Sequence, residues 1–220
     1  MKSKIKYGLI GSSGRLGVEV KNILDENGHL LVFQYDVEGE KYSEKPDIII
    51  DCSLPEVFTK SIFFVEKYKT PFVIATTGLS NDQLLRLKEL SGSVPVIQSY
   101  NYSIGIQILL KLTEIAKEKL PDWDVEILET HHRFKKDKPS GTAKMINDIF
   151  KDKQVNISSL RLGNVPGDHT IYFGGLGETL SISHHASSRR TFAEGILRSV
   201  EFALKKKNGF YTFKEVVFEK

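Results

Sequence analysis

Five short apolar runs, at residues 6–10, 30–35, 47–51, 71–75 and 94–97, constrain this chain more than any other feature. Helical patterns and short turns separate them, and strand alternating with helix implies βαβ units in a parallel sheet. The run Asp47-Ile-Ile-Ile-Asp51 is continuous rather than alternating, which suits a strand covered on both faces. Pro55 opens a helix carrying Val57, Ile62, Phe63 and Val65, at a first-turn position where its missing N–H costs nothing. Ser80 and Gln83 have capping-box spacing ahead of a helix with Leu84, Leu85, Leu87 and Leu90. The expected fold class is α/β, a doubly wound parallel sheet.

After Gly105 the texture changes. A long helix over 106–120 stops at Pro121, and residues 124–129 alternate polar and apolar as a strand. A helix follows from Thr142, with its cap at Ser140 or Thr142. Further strand-like stretches cover 157–162, 169–173 and 178–184, with Gly174-Gly-Leu-Gly177 as a hairpin turn between the last two. Residues 191–204 form a helix that buries Phe192, Ile196, Leu197, Val200 and Phe202. The second half therefore reads as a mixed or mostly antiparallel sheet with helices on one side.

Composition excludes several classes. A chain of 220 residues with 40% hydrophobic and 27% charged side chains has the make-up of a globular protein with a sizeable core. A net charge of +3, from 31 basic and 28 acidic residues, gives no argument for nucleic acid, and Lys205-Lys206-Lys207 reads as a solvated helix end. No window approaches the roughly 20 apolar residues of a membrane span. The run from Tyr7 ends at Gly11, too short for a signal peptide. The lone Cys52 rules out an internal disulfide and reads as a small buried side chain. The expectation is a cytoplasmic protein.

Two stretches carry chemistry. Gly11-Ser12-Ser13-Gly14-Arg15-Leu16-Gly17 follows a strand and opens a helix, where glycines let the backbone approach a pyrophosphate and the helix N-terminus supplies N–H donors. Its spacing is G-x-x-G-x-x-G rather than G-x-G-x-x-G. Asp36, ending the second strand, can accept hydrogen bonds from both ribose hydroxyls and would repel a 2′-phosphate, so NADH should bind at least as well as NADPH. Thr76-Thr77-Gly78 and Asn101-Tyr102-Ser103 stand at later strand ends, on the edge where such sheets bind ligands. The other stretch, residues 129–142, is Glu-Thr-His-His-Arg-Phe-Lys-Lys-Asp-Lys-Pro-Ser-Gly-Thr. Its lysines, paired histidines and helix cap suggest a pocket for a small carboxylate with proton donors beside it. A metal is not expected, because no H-x-x-x-H or H-E-x-x-H spacing occurs and a cationic cluster is a poor neighbour for a divalent ion.

Taken together these residues resemble the dihydrodipicolinate reductase (4-hydroxy-tetrahydrodipicolinate reductase) family. Residues 129–142 match its signature E-x-H-H-x-x-K-x-D-x-P-S-G-T, and residues 11–17 its nucleotide loop. Asp51-Cys-Ser-Leu-Pro-Glu56, Thr76-Thr-Gly78, Asn101-Tyr-Ser-Ile-Gly105, Gly167-Asp-His169 and His184-His-Ala-Ser-Ser-Arg189 follow in the family's order. Leu16, Cys52 and Tyr102 stand where methionine, phenylalanine and phenylalanine are usual, and Ala75 where glycine is.

The resemblance implies a Rossmann-type dinucleotide-binding domain, residues 1–102 with 191–220, and a mixed α/β domain, 103–190, that binds substrate and builds a homotetramer. It implies NADH or NADPH as cofactor and a small dicarboxylate as substrate. His131 is then the proton donor or acceptor and Lys135 a proton donor, while His132, Ser140, Gly141 and Thr142 hold the substrate carboxylates. The cofactor would lie on Gly11, Ser12, Ser13, Gly14, Arg15, Leu16, Asp36, Ala75, Thr76, Thr77, Ser99, Tyr100, Asn101 and Tyr102. Two other readings are another small-acid dehydrogenase, such as an aspartate dehydrogenase, and a catalytically silent nucleotide sensor.

Overall fold

The computed structural model describes residues 4–219; the termini of the expected dinucleotide-binding domain, residues 1–3 and 220, lie outside the described residues. The elements run β1 (Lys6–Ile10), α1 (Arg15–Glu26), β2 (Leu30–Asp36), β3 (Gly39–Tyr42), β4 (Ile48–Asp51), α2 (Phe58–Tyr68), β5 (Phe72–Ile74), α3 (Asn81–Leu90) and β6 (Pro95–Gln98). Then come α4 (Ile104–Lys119), β7 (Asp124–His131), α5 (Gly141–Asn147), β8 (Asn156–Arg161), β9 (Asp168–Gly174) and β10 (Thr179–His185). The chain closes with α6 (Arg190–Ala203), β11 (Gly209–Tyr211) and α7 (Phe213–Phe218). Two compact units result. One takes the described residues up to Tyr102 and those from Phe192 onward; the other is Ser103–Thr191.

The first unit holds a seven-stranded sheet in the order β11-β6-β5-β4-β1-β2-β3. Every pairing is parallel except β2 with β3. The apolar run of β4 explains itself here. Ile48 and Ile50 face one layer, with Val20 and Leu24 of α1, Ile196 and Val200 of α6, and Phe213 of α7. Ile49 faces the other, with Ile62 and Val65 of α2 and Leu87 of α3. Each such fully buried side chain contributes about 1.5–3 kcal/mol. The sequence patterns did not foresee β3 or β11. The first is a polar edge strand, burial pattern intermediate then exposed, and the second has three residues, so neither carries a periodic signal. The expected helix at Pro55 begins instead as a short 3-10 turn, Pro55–Val57, before α2. The capping box at Ser80 forms, with Ser80 and Gln83 exchanging side-chain-to-backbone bonds.

The second unit holds a four-stranded mixed sheet, β10-β9-β7-β8, antiparallel apart from β7 with β8. Ile127, Ile171 and Phe173 lie on one face, packed against Ile106 and Leu109 of α4 and Ala143 and Ile146 of α5. Further along that face, at the carboxyl end of β7, the apolar residues give way to Glu129 and His131. Ser140 is the N-cap of α5, its side chain accepting from Ala143 N–H at 3.1 Å.

In the first unit, α6 lies so close to the end of the β6 segment that a Cβ added at Gly195 would stand 1.7 Å from the Tyr102 carbonyl oxygen. Gly195→Ala is therefore expected to destabilise by about 1–3 kcal/mol or more, since overpacking a dense core forces backbone shifts. Scanning calorimetry checks this; an unchanged midpoint would contradict so close an approach.

Candidate active site

The carboxyl ends of the parallel strands gather the expected cofactor residues on one edge of the first unit. Gly11 follows β1 with a φ of 76°, and a Cβ at Gly17 would lie 2.1 Å from the Gly11 carbonyl oxygen. The loop therefore folds tightly under α1, whose N-cap Gly14 offers no side-chain acceptor to the first-turn N–H groups. Those donors suit a pyrophosphate. Beside them is a cavity of about 480 Å³ lined by Gly11, Ser13, Gly14, Arg15, Asp36, Val37, Cys52, Ser53 and Leu54, among others. Asp36 accepts from Ser12 Oγ at 2.9 Å, Ser13 N–H at 2.6 Å and Val37 N–H at 2.9 Å. Burial opposes its charge, but donors from Ser13, Val37 and Ser12 outweigh that and hold the carboxyl below the usual range. The glycine cradle and this carboxylate fit a dinucleotide. Ser12 is buried and Leu16 half-buried against the core, while Ser13, Gly14 and Arg15 are exposed.

The remaining cofactor candidates follow β5 and β6. Thr77 is exposed, whereas Thr76 is buried and its hydroxyl donates to Asp51 at 2.9 Å. Asp51, fully buried at the end of β4, also accepts from Ser53 N–H at 2.8 Å, Ser53 Oγ at 2.5 Å and Ser61 Oγ at 2.6 Å. The Ala75 N–H meets the Asp51 carbonyl at 2.8 Å. Ser99 and Asn101 are buried and bond one another, Ser99 Oγ donating to the Asn101 carbonyl at 2.9 Å. Tyr100 remains partly exposed, but the Tyr102 side chain turns into the core. Its hydroxyl donates to the Ile74 carbonyl at 2.8 Å and its ring meets Phe213, so only its main chain is left for a ligand. Burial, and then the neighbouring Asp51, push the Cys52 thiol well above its ordinary value.

The second cluster lies within the other unit. Glu129 and His131 are two apart on β7 and so share a face. Glu129 has no exposure, and each of its oxygens accepts two donors. Oε1 takes Arg161 Nη2 at 2.9 Å and the Ser140 N–H at 3.3 Å; Oε2 takes Arg161 Nη1 at 2.9 Å and His131 Nδ1. Burial alone would raise this carboxyl, but the bonds from His131 and Arg161 prevail and hold it well below the usual range. Arg161 Nη2 also donates to the Asp137 carbonyl at 2.6 Å, tying down the lysine-rich loop. Lys135 pairs with Asp137 at 2.7 Å, and its side chain is 19% exposed. His132 is half-buried beside Phe134. Ser140 is buried, with its N–H on Glu129 and its Oγ between Ala143 N–H and His169 Nε2, the latter at 3.2 Å. Gly141 is half-buried and Thr142 buried in the turn that follows. Among the described residues no group of three or more His, Cys, Asp or Glu could hold a metal ion, and no helix is long and apolar enough to cross a membrane.

Sequence reasoning missed Arg161 and gave no role to Glu129, Asp51 or His169. A charge at the inward register of β8, level with His131, was the available signal for Arg161. His169 is 2% exposed, and its ring stands edge-on to His131 at 5.2 Å. Burial first, then the charge of His131, keep its imidazole neutral, pushing its pKa down to about 3. Its Nε2 lies 3.2 Å from the Ser140 hydroxyl.

A glycine-cradled nucleotide edge and a separate histidine–lysine cluster define an NAD(P)H-dependent oxidoreductase. Residues 5–102 match the family described as "Dihydrodipicolinate reductase, N-terminus" and residues 105–217 its "C-terminus". The 4-hydroxy-tetrahydrodipicolinate reductase of Thermosipho africanus is 43% identical over 98% of this chain and 99% of its own. That of Caldanaerobacter subterraneus is 35% identical over 90% and 88%. A dipicolinate-bound dihydrodipicolinate reductase from Paenisporosarcina shares the fold, with a TM-score of 0.77 and 23% identity over 96% of this chain and 98% of that one. This chain belongs to the dihydrodipicolinate reductase family.

The buried groups carry a pH signature. Between about pH 6.5 and 3 the unfolded chain takes up a proton that folded His169 refuses. Stability is therefore full above that window and falls as pH is lowered through it, by at most about 1.4 kcal/mol per pH unit for one group. Glu129, with its folded pKa depressed, adds loss of the same sign below about pH 4.3. The thermal midpoint is expected to drop from pH 7 to pH 4, with a shallower slope in His169→Gln; a midpoint that rises on acidification would overturn this.

Proposed function

We propose that this protein reduces 4-hydroxy-tetrahydrodipicolinate to tetrahydrodipicolinate with NAD(P)H, in lysine and diaminopimelate biosynthesis. Family membership across both halves of the chain carries the reading. Replacing the substrate's hydroxyl by hydrogen requires a hydride, a proton and the departure of water. NAD(P)H, when bound, supplies the hydride. The loop at Gly11 to Leu16 would hold the pyrophosphate, Asp36 the ribose hydroxyls, and Ala75 to Thr77 with Ser99 to Tyr102 the strand-end edge.

In the other unit, His131 and Lys135 handle the proton. His131 sits against a carboxylate, and Lys135 is a cation held by a single exposed-side partner, Asp137. His132, Gly141 and Thr142 would hold the substrate carboxylates. Ser140 caps that turn, its N–H on Glu129 and its Oγ accepting from the Ala143 N–H, and would hold a substrate carboxylate together with its neighbours. Neither an aspartate dehydrogenase nor a silent sensor is favoured, and a sensor has no use for proton donors.

The deciding assay is oxidation of NADH and NADPH with enzymatically generated 4-hydroxy-tetrahydrodipicolinate. Substrate-dependent loss of absorbance is expected with NADH at least as good as NADPH, and Asp36→Ala should weaken NADH more than NADPH. Lys135→Ala should lower kcat by about 10²–10⁴-fold, the usual share of general acid catalysis, and leave NADH affinity unchanged. No oxidation with either cofactor, in a protein that still binds NADH, would sink the reading.

A cytoplasmic homotetramer completes it. Helices α4 and α5 cover one face of the second sheet, and on the opposite face Leu160 and Tyr172 are 43% and 38% exposed. Apolar side chains on an uncovered sheet face suit contact with further copies. Light scattering should give four chains, and the double variant Leu160→Asp, Tyr172→Asp should give fewer. A wild-type monomer would refute the assembly.

A further inference from the structure

We infer that Glu129 is a positioning residue for this reaction: it fixes which nitrogen of His131 exchanges protons and at the same time seats the Ser140 turn. The inference deepens the reductase reading and rests on it. Its basis is geometric. A carboxylate offers only acceptors, so the His131 nitrogen facing Glu129 Oε2 must carry the hydrogen. That nitrogen is Nδ1, which leaves Nε2 as the site that gains or loses a proton.

Nε2 has no hydrogen-bond partner among the described residues and faces Gly167, where an added Cβ would lie 3.0 Å away. A side chain at 167 would crowd Nε2, and glycine leaves that room beside the buried ring.

The same carboxylate accepts the Ser140 N–H through Oε1, so one rigid group sets both the imidazole and the turn that presents Gly141 and Thr142. Its rigidity comes from Arg161, whose two terminal nitrogens bind one oxygen each in the parallel fork that gives carboxylates a single orientation. A third contact of the guanidinium, to the Asp137 carbonyl, places the loop bearing Lys135 from the same anchor. The other ionisable groups around His131 are His169, kept neutral by burial, and the Lys135–Asp137 pair. Neither offers Nδ1 an acceptor, so the tautomer is set by Glu129. The depressed titration of Glu129 keeps it an acceptor across the working pH range.

Glu129→Gln tests this, because the amide keeps the shape but presents a donor as well as an acceptor and loses the charge. With histidine labelled in ¹⁵N, neutral His131 of the wild type should show a protonated Nδ1 and a bare Nε2, and Glu129→Gln should show a mixture of the two tautomers. kcat should fall on the order of a hundredfold, as for a misplaced reacting group, with the KM for NADH unchanged. The double variant Glu129→Gln, Arg161→Met, which removes the half-buried cation left without its carboxylate, should regain thermal stability but not kcat.

A His131 tautomer that is the same in wild type and Glu129→Gln would overturn the inference, as would recovery of kcat along with stability in the double variant. The tautomer is read without turnover. An inactive wild type with the expected Nδ1–H signal would therefore count against the reductase reading and not against the role of Glu129.

Discussion

A carboxyl group taken out of water must find a donor for nearly every lone pair, and both units of this protein are arranged around one that does. In the first unit it is Asp51, whose four donors come from the Ser53 backbone and from the hydroxyls of Ser53, Ser61 and Thr76. In the second it is Glu129, answered by Arg161, His131 and Ser140. Each lies at or near the carboxyl end of a strand, where the ladder stops supplying partners and loops must do so. The loops are thereby fixed before any ligand arrives. Such pre-organisation is what electrostatic catalysis requires, because donors already aimed need no reorientation during reaction.

The polar centre of the second unit is an extension of its hydrophobic core. Along the inner face of β7, Ile127 packs under α4 and α5, and two and four residues further on the same face bears Glu129 and His131. On β9, Ile171 and His169 follow the same rule, and the two histidines meet edge to edge. A dense apolar floor packs beneath the histidines, and burial keeps His169 uncharged. Site and core share one face because strand periodicity leaves them no other.

Much of this was legible in the sequence. The doubly wound sheet followed from apolar runs that could only be covered on both faces, and Ile48, Ile49 and Ile50 divide between the two layers accordingly. The glycine loop, Asp36 and the His-His-x-x-Lys cluster announce themselves because their residue types are expensive to place elsewhere. Other features carried no such signal. Strand β11 has three residues and exists only because β6 offers it an edge. Arg161 resembles any arginine closing a polar strand until the register sets it beside His131. Ser140 reads by type and position as a cap and a ligand contact; only the fold shows its N–H on Glu129 and its hydroxyl between Ala143 and His169. Tertiary pairing decides such cases, and one chain's residue order does not encode it locally.

The close approach at Gly195 has a consequence for how the protein is made. The nucleotide-binding sheet needs α6, β11 and α7, which come from the far end of the chain, to cover one layer and to pair the open side of β6. On the ribosome those residues emerge after residues 103–191. Residues 103–191 by then already contain every strand of their own sheet and both helices that cover it. The later-encoded half of the enzyme can thus finish folding while the earlier-encoded half still exposes an apolar layer and an unpaired strand. Until those later elements arrive, an apolar layer and an unpaired strand stay uncovered, the kind of surface that exposes a nascent chain to aggregation.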